Sequence, residues 1–233
     1  VEIAAEMAYY SNKFFERGSF SCDNLKITLI SSSVTILPGL SKQLINISQE
    51  RLKALGITIV TNTKLVKVED GHCHFSNGTK VNHSFVIFTG GVEASTITAE
   101  LEDVSKNGRG QIIVNEYLQT DKYENIFAIG DIAEIKNRRG EIMPPNVTVA
   151  RISGTDAGKN VLNMIAGRSL HKSNPKLDGI LIALGGKYAA GDIFGLLTVK
   201  GRLAYEIKKY VFSSYRKPLL KLIKAGYNKL KRL

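Results

Sequence analysis

Apolar positions along the chain follow two periods in alternation. Ile3, Met7, Tyr10, Phe14 and Phe15 recur at helical spacing, so VEIAAEMAYYSNKFFERG predicts an amphipathic helix ending at Gly18. A polar linker leads to KITLISSS, residues 26–33, whose β-branched run predicts a buried strand. SKQLINISQERLKAL predicts the next helix, capped by Ser41 and stopped at Gly56, and ITIVTNTKLVKVED supplies further strands. That order predicts parallel strands with helical crossovers. A chain opening on such a helix lacks the strand in front of it, and the sequence is read as a fragment.

The pattern then shortens. From Lys64 to Ser95, strand-like pieces alternate with turn signals at Asp70-Gly71 and Asn77-Gly78, predicting a small antiparallel meander that closes on a further apolar strand, FVIFTGG. His72 and His74 share one face of their strand, too few ligands for a metal site, and Cys73 points to the opposite face as a packing residue. At 124–135, ENIFAIGDIAEI predicts a short buried strand over Ile126–Ile129 that stops on Gly130 and Asp131. Residues 176–201 read as a glycine-rich hairpin, with Asp192 at a turn. Leu203, Ile207, Tyr210, Val211 and Tyr215 give a helix that Pro218 interrupts. A second helix follows, with Leu219, Leu220, Ile223, Tyr227 and Leu230 on one face and Lys221, Lys224, Lys229, Lys231 and Arg232 around it.

Composition alters this picture in one place. An apolar fraction of 43% and a charged fraction of 23% over 233 residues are ordinary for a globular chain. Of the net charge of +11, however, +10 arises from Lys200 onward, where eleven Lys or Arg meet one acid, Glu206. The body is near neutral and the tail is cationic. No nucleic-acid motif accompanies those charges, so nucleic acid is not the expected partner. A basic amphipathic tail suits an anionic membrane surface, with residues 203–233 lying in the headgroup plane. No apolar run approaches the ~18–20 residues that span a bilayer, and VEIAAEMAYY lacks the basic leader of a signal peptide. Cys22 and Cys73 lie far apart, which argues against a disulfide framework or zinc ribbon and suits a reducing compartment.

A strand ending on glycine and an acid has a chemical use, since ligands of doubly wound folds sit beyond the carboxyl ends of the strands. Glycine allows close approach, and an Asp can accept bonds from sugar or ribityl hydroxyls. On residue chemistry alone, Asp131 could equally be a helix N-cap and Glu2 a solvated acid favourable to its helix dipole. The stretch GRGQIIVNEYLQTDKYENIFAIGDIAEI, residues 108–135, resembles the second flavin-binding signature of flavoproteins with two dinucleotide-binding domains: G-x-I-x-V-(D/N)-x-x-L-x-T followed by I-(F/Y)-A-x-G-D. FVIFTGGV at 85–92 resembles their strand that returns to the flavin domain, and VEIAAE at 1–6 the helix after their nicotinamide glycine motif. Among them the chain most resembles type II NADH dehydrogenases.

The resemblance implies an α/β fold with a Rossmann-like dinucleotide-binding domain, incomplete at its N-terminus, at 1–92. The returning part of an FAD-binding domain follows at 93–165, and a small C-terminal domain with amphipathic anchor helices at 166–233. It implies FAD and NADH as cofactors, with hydride passing from NADH to FAD and electrons on to a membrane quinone. Asp131 would bind the FAD ribityl chain, with Gly130 allowing its approach. Glu2 would lie near the nicotinamide as the catalytic-site acid, and Gly90 and Gly91 would line that pocket. The helix starting at Val147 and Thr148 would aim its amides at the flavin C2 carbonyl. Ser31 stands where NAD-selective relatives carry a ribose-binding acid, which leaves NADPH open. The glutamines of the usual quinone motif after the prolines are absent, which leaves the electron acceptor open. The implied location is peripheral, on the cytoplasmic face of the cell membrane, and a homodimer is an open alternative. A soluble disulfide or ferredoxin-type reductase, or a non-catalytic nucleotide- or lipid-binding module, are the competing expectations.

Overall fold

The structure, a computed structural model, describes residues 1–16 and 25–230. In chain order the elements are α1 (Glu2–Glu16), β1 (Thr28–Ile30), α2 (Lys42–Ala54), β2 (Thr58–Val60), β3 (Leu65–Glu69), β4 (His72–Phe75), β5 (Lys80–Asn82), β6 (Ile112–Ile113), β7 (Ala133–Glu134), α3 (Val147–Ile165), β8 (Gly179–Ala183), β9 (Ala189–Ile193), β10 (Leu197–Gly201) and α4 (Arg202–Leu230). Gly18 and Cys22 lie outside the described residues, as do the side chains of Phe15, Lys224, Tyr227, Lys229, Leu230, Lys231 and Arg232 in their respective segments.

By contacts the chain forms two units, residues 1–86 with 178–233, and residues 87–177. This division differs from three successive segments at 1–92, 93–165 and 166–233. The first unit holds the expected crossover: β1 pairs with β2 in parallel, with α2 between them. Ser41 caps α2, its Oγ accepting the Leu44 N–H at 3.2 Å, and Gly56 leaves the helix at φ +80°. Leu44, Ile45, Ser48 and Leu52 are buried at the spacing of one helix face. Leu52 joins Ala5, Ala8, Ile36 and Ile57 in one cluster, while Leu44 meets Ile182, Leu184 and Ala190 in another. The β8–β9–β10 sheet is therefore fastened to α1 and α2 through shared core, and α4 packs on its strands. The predicted meander is present as antiparallel β3–β4–β5.

Three expectations fail here. FVIFTGG is no strand: Phe85 and Phe88 are 76% and 75% exposed, and no described strand pairs with the segment, so its apolar side chains have no sheet to pack against. Pro218 does not end the tail helix, because α4 runs through it to Leu230. A proline gives up one helical hydrogen bond and crowds one carbonyl, that of Ser214. Ser214 is exposed, so water can solvate that group in place of the lost donor. Asp192 is inside β9, not at a turn. Its carboxylate accepts the Ser41 and Thr198 hydroxyls and so ties α2 to β10.

The second unit is built from short pieces around Val104, Ile112, Leu118, Ala128, Ala133, Ile135, Val149 and Ala157. Only Phe127 of the expected strand 126–129 makes a bridge, to Gln119, and Ile126 and Ile129 remain partly exposed. The regular pairing is the two-residue parallel contact of β6 with β7. Rigidity comes instead from one loop used three times, Asn107–Gln111, Asn115–Gln119 and Asn137–Glu141. In each, the first backbone N–H bonds the fifth carbonyl at 2.9–3.0 Å. The Asn Oδ1 accepts the N–H groups of the third and fifth residues, and the Asn Nδ2 donates to the fifth side chain. The fourth residue is left-handed in all three: Gly110, Leu118 and Gly140, at φ +73°, +70° and +78°. Leu118 accepts that strain with its side chain fully buried.

Candidate functional site

Residues 130–132 form a single 3-10 turn between Ile129, in extended conformation, and β7. Gly130 has φ +66°, and a Cβ there would lie 3.6 Å from the Ala150 Cβ, so the corner rests on the first turns of α3. The Gly130 N–H donates to the buried Ser153 Oγ at 3.2 Å, and Ile129 covers Gly154. Helix α3 starts where expected, after Pro144-Pro145. Its N-cap is Asn146, whose Oδ1 accepts the Val149 N–H at 2.9 Å and whose carbonyl accepts the Ala150 N–H. Asp131 is accordingly not a helix N-cap, and its carboxylate is exposed on the corner. Val147, exposed, and Thr148 occupy the first turn above Ala150. The structure thus brings Gly130, Asp131, Val147 and Thr148 to one edge: an exposed acid, a backbone free of a side chain, and the positive end of a 19-residue helix. Such an edge can hold a polyhydroxyl chain and stabilise negative charge beside it.

Two residues that complete this corner were not among those picked out from the sequence. Gln111, buried, donates from Nε2 to the Asp131 carbonyl at 2.9 Å and accepts from Asn107 Nδ2 at 3.0 Å. Asn107 Nδ2 also bonds Glu134 Oε2 at 2.9 Å. The signal that could have found them is the repeated Asn-x-x-x-(Gln/Glu) spacing.

The remaining candidates lie elsewhere. Gly90 and Gly91 are on the exposed segment after Phe88, whose ring leaves no room for a Cβ at Gly90, while Gly91 faces open space. Glu2 and Ser31 belong to the first unit. Glu2 Oε1 accepts the Ala183 N–H at 2.7 Å and the Lys208 ammonium at 2.8 Å, and Lys208 also bonds the Leu181 carbonyl. The carboxylate therefore joins α1, β8 and α4. Ser31, at the carboxyl end of β1, donates to the Thr35 carbonyl at 2.9 Å and accepts the Ser33 N–H, which organises the turn after the strand. His72 bonds Asn82, His74 bonds Glu69, and Cys73 between them is buried. Glu69, flanked first by Lys67 and then by His74, is held at a pKa of about 2.

Residues 2–154 match the family described as Pyridine nucleotide-disulphide oxidoreductase. The chain belongs to that family. Within the pyridine nucleotide-disulphide oxidoreductases it is similar to the Type II NADH:quinone oxidoreductase of Haemophilus influenzae, 26% identical over 97% of this chain and 52% of the relative. It is likewise similar to that of Staphylococcus aureus, 27% identical over 81% of this chain and 47% of the relative. The chain thus spans about half the length of these curated relatives. Among solved structures, NDH2 from Plasmodium falciparum in complex with NADH superposes with a TM-score of 0.77 at 17% identity, covering 91% of this chain and 59% of that one. The sulfide:quinone oxidoreductase of Aquifex aeolicus gives 0.69 at 17% identity, covering 90% and 52%. These likenesses establish the α/β fold of the family.

Proposed function

We propose that the protein is a flavin-dependent NADH oxidoreductase that delivers electrons to a quinone at an anionic membrane surface. The observation that carries this reading is the corner formed by Gly130 and Asp131 on the first turns of α3. Its groups fit the central part of FAD: a left-handed glycine allows close approach, an exposed carboxylate accepts ribityl hydroxyls, and a capped helix N-terminus favours the electron-rich edge of the ring. Bound there, FAD would accept hydride from NADH and pass the electrons on. Asp131 would hold the hydroxyl chain, Gly130 would admit it, and Val147 and Thr148 would present the helix end. The names of the Haemophilus and Staphylococcus relatives support NADH and quinone as the two substrates. Glu2 and Ser31 of the first unit are proposed to serve the nicotinamide nucleotide, as are Gly90 and Gly91 of the second. NADH is the favoured donor, and Ser31, which carries no charge to repel a 2′-phosphate, leaves NADPH open.

The membrane assignment draws on α4. No described helix is long and apolar enough to cross a membrane. On α4, Ala204 is buried against its own unit, while Leu203, Tyr210, Phe212, Leu219, Leu220 and Ile223 are exposed among Lys and Arg.

The test uses the full-length protein. The purified enzyme is expected to show bound-flavin absorption, to oxidise NADH with a soluble quinone, and to lose flavin in Asp131→Ala by tenfold or more in affinity, on the order of a charge-assisted hydrogen bond. A full-length protein without flavin, or one unable to reduce any soluble quinone with lipid present, removes the proposal.

A further inference from the structure

The corner before β7 turns on a residue that does not hold its own shape. Gly130 sits at φ +66°, and a glycine populates positive and negative φ about equally, so nothing of its own keeps it there. Rotation at Gly130 would swing the next residue, Asp131. That carboxylate is exposed and meets no hydrogen-bond donor among the described residues.

The hold comes from outside the corner. Ser153 is fully buried on α3. Its Oγ donates to the Ala150 carbonyl at 3.2 Å and accepts the Gly130 N–H at 3.2 Å, so its one proton is committed to the helix and a lone pair faces the glycine. Small neighbours on the helix let the corner come this close, with Ala150 against Gly130 and Gly154 under Ile129. At the other end of the same dipeptide, Gln111 Nε2 donates to the Asp131 carbonyl at 2.9 Å. Asn107 Nδ2, bonded to Gln111 Oε1 at 3.0 Å, fixes which end of that amide faces the carbonyl. The Gly130–Asp131 pair is thus gripped by its first N–H and its last C=O, and these two points bracket the soft dihedrals between them. Two buried side chains are spent on the backbone of an exposed turn, and the acid between them is left for a ligand.

We infer that Ser153 is a positioning residue for the flavin site: through the Gly130 N–H it holds the glycine left-handed and so fixes where the Asp131 carboxylate points. The inference rests on the flavin reading above and adds to it a residue that acts through the corner. An acid aimed in advance needs less ordering on binding than one free to swing, and that difference appears in affinity. A small residue that merely filled space beside Gly130 would affect the fold independently of Asp131, so the two roles differ in what they predict.

The test is titration of the flavin-stripped full-length protein with FAD, followed by quenching of flavin fluorescence. Ser153→Ala is expected to raise the FAD dissociation constant about fivefold, the scale of one neutral hydrogen bond. Ser153→Cys fills the same space with a weak acceptor and should bind FAD as weakly as Ser153→Ala. It also keeps the comparison open should the alanine variant misfold. In the Asp131→Ala background, adding Ser153→Ala should change the dissociation constant by less than about twofold, because a serine that aims the carboxylate then has nothing to aim. Losses that multiply in the double variant would mean that Ser153 acts on the fold at large, and they overturn the inference. Parent-like binding in either single Ser153 variant overturns it too. Both results leave the flavin reading standing as long as Asp131→Ala alone weakens FAD by about tenfold or more. If the parent binds no FAD, or Asp131→Ala binds it as the parent does, the flavin reading itself fails and the role of Ser153 falls with it.

Discussion

At Gly130 a Cβ would sit in ordinary contact with Ala150, so a side chain is opposed by the backbone angle of +66° and not by collision. Gly130→Ala is therefore expected to cost about 1–2 kcal/mol of unfolding free energy in urea titrations, and Gly130→Asn less, since Asn tolerates that conformation. The neighbouring Gln111 acts through the Asp131 carbonyl. Gln111→Ala strands that buried acceptor, at about 1–3 kcal/mol, and in the full-length protein it should release flavin more readily, read as flavin absorbance per polypeptide after dialysis. Gln111→Glu places an acceptor against an acceptor and should do no better, whereas a mere space-filling role would be rescued by that near-isosteric change. Gly130 and Asp131 stood out in the sequence through the surrounding run 108–135, which resembles a flavin-binding signature, and not through their residue types alone. Gln111 did not, because its partner lies twenty residues away and the amide has meaning only once the chain has turned.

Among the elements, β3 and β4 carry the clearest pH dependence. Lys67 and then His74 hold the Glu69 carboxyl at about 2 against an ordinary 4.5. A depressed carboxyl contributes stability that is complete above the ordinary value and is lost as pH falls from about 4.5 through about 2. The Glu69 side-chain carboxyl resonance is expected to titrate near pH 2, and to move toward the ordinary value in Lys67→Ala. A midpoint near 4.5 in the parent would show the contacts to be ineffective in water. The pair is exposed, so added salt should shrink the shift. Helix α2 was readable from end to end because Ser41, the buried spacing and Gly56 are all local signals. The tail helix was misread at Pro218 because a proline penalises one bond, while the rest of the helix is decided over many turns. FVIFTGG was misread because an apolar run becomes a strand only where a neighbouring strand offers its backbone groups.

For the whole molecule the uneven charge is the informative quantity. Binding of the full-length protein to anionic vesicles is expected to weaken steeply from about 0.1 M to about 1 M salt, as the screening length falls from ~10 to ~3 Å. The residual binding at high salt should be the part carried by the exposed apolar side chains of α4, Leu219, Leu220 and Ile223. Salt-independent binding would mean that the +10 of the tail plays no role at the surface. At this scale the hairpin and α4 belong with the opening α1–β1–α2–β2 segment, through Leu44 against Ile182 and Glu2 against Ala183 and Lys208.

The sequence by itself determined the parallel crossover and the meander, because each depends on residues within about one element of one another: a cap, a period, a turn pair. The start of α3 and the Gly130–Asp131 pair were reached through the family resemblance. The tertiary structure decided that residues 178–233 pack with 1–86, that Asp192 ties α2 to β10, and that Glu2 is held by a distant lysine. It also decided that an amide at Gln111 steadies Asp131. Those choices depend on which surfaces bury one another and which donors meet which acceptors across the fold. Such pairings leave no period in the chain.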